Sequence, residues 1–134
     1  MQRLELQSAT ELMHLYQAAM AGKFEGRDKS LLLSEPLAQA LERLVESIIA
    51  SARATHNEPM VDSMLDGLVL TEAYPQYQLI IEAFSAHHEA LNWQALTEET
   101  QLAYLKTAVK PLNANPALLS TMAEAIHTQI NTND

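Results

Sequence analysis

From Ser34 to His56 the chain reads SEPLAQALERLVESIIASARATH, and Leu37, Leu41, Leu44, Val45, Ile48, Ile49 and Ala52 recur at spacings of three and four. On a helix that spacing gathers them into one apolar stripe and leaves Gln39, Arg43, Glu46, Ala50 and Arg53 on the opposite side. The start is signalled as well. Ser34 can accept from the first free backbone N–H groups, Glu35 complements the helix dipole, and Pro36 is tolerated in the first turn. About twenty helical residues extend about 30 Å, the width of a small domain, so this segment is expected to be the central helix.

The remainder falls into helices of similar kind. Ser8 and Glu11 have the spacing of a capping box, and Gly22 suits a left-handed terminus, so a first helix is expected from Ser8 to Gly22 with Leu12, Met13, Tyr16 and Met20 inward. Leu4 and Leu6 alternate as in a strand and equally extend that helix by a turn. Residues 22–34 read as a loop with a basic tip at Lys23, Arg27 and Lys29, and Leu31, Leu32 and Leu33 are expected to fold back on the core. Asn57-Glu58-Pro59 reads as a break. A third helix is expected from Met60 to Ala73, with Val61, Met64, Leu65 and Leu68 inward and Gly67 marking close approach of a neighbour. Tyr74-Pro75 breaks the chain again. A fourth helix is expected from Gln76 to Leu91, with a stripe of Tyr77, Ile80, Ile81, Phe84, His88 and Leu91. Asn92 ends it and Trp93, the sole tryptophan, anchors the following link. Thr97 caps a fifth helix that Pro111 stops, and Asn115-Pro116 opens a sixth carrying Leu119, Met122, Ala123, Ile126 and Ile130.

The reading is an all-α, single-domain helical bundle or orthogonal array of five to six helices over residues 1–134, a length suited to one core. With no cysteine, disulfides, thiol catalysis and thiolate metal sites are excluded. The N-terminus MQRLELQ lacks the pattern of a secretory signal and no apolar run approaches a membrane span, so a cytoplasmic location is expected. Net charge is −9, which repels phosphate backbones and argues against nucleic acid. That charge is uneven. Residues 1–53 carry six bases and seven acids, whereas residues 54–134 carry two bases and ten acids.

Glu-x-x-His, the pairing found in di-iron carboxylate bundles, occurs at Glu11/His14 and Glu124/His127. Both pairs fall opposite the apolar stripes of their helices, and they sit on the first and last helices rather than alternating with lone-Glu helices. Solvated polar faces are expected there. His88 lies within the stripe of the fourth helix with His87 at its edge, and the expected role is a hydrogen-bonded core histidine; His56 has the same standing. Phosphate loops, G-x-S-x-G, H-E-x-x-H and EF-hand patterns are all absent. Met13, Met20, Met60 and Met64 are expected to fill the core, while Leu70 and Leu79, on polar faces, point to further helices or a subunit interface.

No catalytic residue, cofactor site or metal ligand is assigned, and no cofactor is expected. The expected function is a non-enzymatic cytosolic protein–protein interaction domain, an adaptor, chaperone or inhibitor with an acidic C-terminal half. Its partner is a protein with a basic surface, not a nucleic acid or a membrane, and a homo-oligomer is compatible. The expected contacts are Asp62 and Asp66 on the third helix and Glu82 and Glu89 on the fourth. The alternative is a helical enzyme or metal-binding protein using His/Glu pairs from different helices, which burial of His14 and His127 would favour.

Overall fold

The computed structural model describes residues 9–26 and 29–132. They form α1 (Ala9–Glu25), α2 (Lys29–Leu32), α3 (Glu35–Ala54), α4 (Glu58–Gly67), α5 (Pro75–Ala86), a 3-10 turn (Trp93–Ala95), α6 (Glu98–Val109) and α7 (Pro116–Thr132). The chain is all-α. Among the described residues seven α-helices stand where five or six were expected, the addition being the four-residue α2 inside the segment read as a loop. The Ser8 cap and residues 2–7 lie outside the described residues, as do Arg27 and the side chain of Lys29. No described helix is long and apolar enough to cross a membrane.

α3 forms as its sequence requires. Ser34 is extended and its Oγ accepts from Leu37 N at 3.2 Å, and the buried face comprises Ala38, Leu41, Val45, Ile48 and Ala52. At the other end His56 takes a left-handed conformation, φ 56°, so that its N–H reaches Arg53 O and the N–H of Asn57 reaches Ala52 O at 2.8 Å. That is the paired bonding of a Schellman terminus, with His where Gly is usual. His56 is exposed, and its place is that of a turn residue. Asn57 then caps α4 at once, its side chain accepting from Met60 N at 3.3 Å. The break expected here is present between Ala54 and Glu58, and Pro59 sits in the first turn of α4, where residues need no intrahelical donor.

Three expected boundaries move, two for tertiary reasons and one for local bonding. α1 runs through Gly22 to Glu25, since Lys23 and Phe24 in its last turn are buried and packing outweighs the flexibility of glycine. Gly26 is the position that needs glycine, because a Cβ there would meet the Gly22 carbonyl oxygen at 2.5 Å. α4 stops at Gly67 rather than Ala73. The Leu68 carbonyl accepts from Asn113 N at 2.6 Å and Leu70 N donates to Asn113 O at 2.8 Å, an isolated bridge that ties the α4–α5 link to the α6–α7 link. Gly67 has open space beside it, not a neighbouring helix, and Leu65, expected inward, is 45% exposed. α5 stops at Ala86 rather than Leu91. His88 Nδ1 bonds the Ser85 carbonyl at 2.8 Å, and left-handed Asn92 lets Trp93 N reach His88 O.

One hydrophobic cluster draws on every helix and the 3-10 turn. α3 packs on α1, α4 and α6; α7 packs on α5 and α6. Leu32, Leu70 and Met64 are buried, and Leu33, Leu79, Met13, Met20 and Met60 are half-buried against the core. The two leucines on polar faces thus meet further parts of the same chain. Trp93 is fully buried, edge-on to Phe84 with ring centroids 5.2 Å apart.

Lys23 is the main departure from the sequence reading. Expected in a solvated basic tip, it is 1% exposed; its ammonium donates to the Lys110 carbonyl at the end of α6 and lies 5.1 Å from the Phe24 ring centroid. Lys110 Nζ in turn pairs with Glu42 of α3 at 2.7 Å. Burial, and secondarily the neighbouring Lys110 charge, lower the Lys23 pKa to about 8 from 10.5.

Two measurements check this packing. Ile48→Ala should destabilise by about 2–5 kcal/mol in denaturant unfolding, the combined transfer and cavity cost of a buried residue. For Lys23, both folded and unfolded chains are protonated below pH 8, and the burial penalty is fully present. Between about 8 and 10.5 the unfolded chain holds more protons, so this group makes stability rise with pH, by up to about 3 kcal/mol. The stability difference between wild type and Lys23→Met should therefore move in favour of wild type as pH rises through that window.

Candidate functional site

The histidines sort themselves by local structure. His14 and Glu11 are exposed on α1, Glu124 is exposed on α7, and no group of three or more His, Asp or Glu side chains among the described residues could hold a metal ion. His127 departs from the outward facing expected of it. It is half-buried, its ring 6.1 Å from that of Trp93, because α7 turns that flank toward the 3-10 turn. His88 is half-buried and held on its own helix end, while His87 is exposed.

Around Trp93 a polar relay crosses the core. Gln101, buried in α6, donates from Nε2 to the Trp93 carbonyl at 2.8 Å, which turns its Oε1 toward His127 Nε2 at 3.4 Å. Buried polar groups are retained when paired, and this pairing fixes the 3-10 turn between α6 and α7. The Trp93 indole Nε1 is buried without a hydrogen-bond partner. Sequence reading missed Gln101, since a lone glutamine on a helix looks solvated unless the carbonyl it serves is known. The constellation is structural in form: an amide, a carbonyl and an imidazole, with no nucleophile or carboxylate among them.

The surface is otherwise divided by charge. Asp62 and Asp66 are exposed on α4, which packs on α3, and Glu82 is exposed on α5 and Glu89 just beyond it, where the chain packs on α7. Glu82 accepts a 3.5 Å hydrogen bond from Gln78. Across residues 54–132, nine carboxylates are exposed: Glu58, Asp62, Asp66, Glu72, Glu82, Glu89, Glu98, Glu99 and Glu124. Lys106 is exposed among them, whereas Lys110 is committed to Glu42 and lies half-buried. The other half offers a different surface. α1 and α3 leave an open apolar groove of about 370 Å3 lined by Leu15, Ala19, Leu37, Ala40, Leu41 and Leu44, with Arg43 and Ser47 at its edge.

No known protein family, curated protein or solved structure matches the chain.

Replacing Gln101 by Leu keeps the volume but removes its hydrogen bond to the Trp93 carbonyl, which retains only the bond from Leu96 N. The expected loss is about 0.5–1.5 kcal/mol of stability. The fluorescence of Trp93, the chain's sole tryptophan, reports the unfolding directly.

Proposed function

We propose that the chain is a non-enzymatic helical protein–protein interaction domain whose acidic half meets a basic protein surface. The observation that carries this reading is the ratio of exposed charge in residues 54–132, nine carboxylates against Lys106 alone. Such a field attracts a cationic partner over a range of about 8–10 Å at physiological salt and raises its encounter rate. Asp62, Asp66, Glu82 and Glu89 are the contacts assigned, the first two exposed on α4, Glu82 exposed on α5 and Glu89 exposed in the turn that follows it. A cytoplasmic adaptor, chaperone or inhibitor fits this chemistry. The acidic field disfavours nucleic acid.

The test begins with a photocrosslinking amino acid placed at Asp62 or Glu82 in source cells, with position 43 on the opposite half as control. A discrete adduct specific to the acidic positions identifies the partner. Charge reversal of Asp62, Asp66, Glu82 and Glu89 to Lys should then slow association at low salt by roughly tenfold or more and flatten its salt dependence. Unchanged association by a folded variant would mean that the acidic half serves solubility and is not the binding surface.

A further inference from the structure

A cleft of about 300 Å3 opens where the α2–α3 link, α5 and α6 meet. Its floor is apolar, with Phe84 and Ala108 buried and Leu33 and Leu91 half-buried. Its remaining lining is polar: Glu35, Tyr104 and Thr107. Local sequence explains the placement. The Ser34 cap makes Glu35 the first residue of α3, and Gln39, one turn on, donates from Nε2 to Glu35 Oε1 at 3.3 Å, which leaves the second carboxylate oxygen for another donor. Tyr104, Thr107 and Ala108 lie at i, i+3 and i+4 and share one face of α6. Phe84 is held from behind by the edge-on Trp93 ring, so the floor is already in place before anything binds.

We propose that this cleft binds a small primary amine carrying an apolar body of about the size of a phenyl ring. The lining selects that class. An anion would face the Glu35 charge. A wholly apolar ligand would strip water from Glu35 and Thr107 and return no hydrogen bond, and a wholly polar one would gain nothing from Leu33, Phe84 and Leu91. An ammonium group has three donors, two of which the free Glu35 oxygen and the Thr107 hydroxyl can accept, and it is attracted to an aromatic face. Tyr104, an aromatic residue left 42% exposed beside an apolar floor, supplies that face. The volume is at the lower end for small-molecule sites, which limits the ligand to a compact one. The site shares no residue with the acidic contacts assigned above to a protein partner and does not rest on that reading.

Phenethylamine is the probe, with phenylacetate and phenethyl alcohol as controls of the same body. In a nitrogen-edited NMR titration of the full chain, phenethylamine should bind with about millimolar affinity and shift the amides of Leu33, Leu91, Tyr104 and Thr107. Phenylacetate should bind roughly tenfold more weakly or not at all. Glu35→Gln, at an exposed position, should bring the amine down to the level of the alcohol, and Tyr104→Ala should weaken the amine more than the alcohol, both in chains whose amide spectra away from the cleft match the parent. No saturable shifts from the amine, equal binding of amine and carboxylate, or full amine affinity in Glu35→Gln would each overturn the assignment.

Discussion

Burial of one face of α3 leaves the rest of the chain few choices. Ala38, Leu41, Val45, Ile48 and Ala52 form a strip along a twenty-residue helix, and three helices, α1, α4 and α6, cover it. α6 then carries the constraint onward, since it also packs on α7, which in turn seats α5. Polar contacts mark the seams of this chain of packing. Lys23 of α1 reaches the end of α6, Lys110 reaches Glu42 of α3, and Gln101 of α6 holds the carbonyl of Trp93. The Lys110–Glu42 pair is partly exposed and adds about 0.2–1 kcal/mol. Apolar burial is thus the main source of stability, with the polar contacts fixing which helix end meets which.

Helix starts were legible in the sequence because capping is local. Ser34, Thr97 and Asn115 each accept the hydrogen bond that their spacing to the first turn requires, and the apolar stripes of α3 and α7 lie where periodicity places them. Helix ends were less legible. Gly22 looks like a terminus, yet α1 continues because Phe24 has a core to enter; α4 looks longer, yet Asn113, some forty-five residues on, takes the backbone groups that another turn would need. The signals that decide these ends are distant in sequence, so no local pattern could carry them.

Chemistry followed the same division. That Asp62, Asp66, Glu82 and Glu89 face water could be read from their positions opposite apolar stripes. The cleft of Glu35, Phe84 and Tyr104 could not, since it is assembled from the start of α3, the last turn of α5 and one face of α6, whose approach to one another no local pattern shows. Lys23 shows the opposite failure. Its sequence neighbours Glu25, Arg27, Asp28 and Lys29 make a hydrophilic context, yet Lys23 turns inward in the last turn of α1 while Glu25, two residues on, is exposed.

The placement of Lys23 also explains how so acidic a chain can afford a buried cation. Taking an ammonium from water is unfavourable, and its lowered pKa records that cost. It ends, however, at the C-terminus of α6, where the last carbonyl has no intrahelical donor and the dipole is negative, so the charge meets the one backbone feature that favours it. Neither partner is a side-chain carboxylate. The acidic groups of the second half are consequently not drawn into the core to neutralise it, and they remain at the surface, where their combined field extends into solvent.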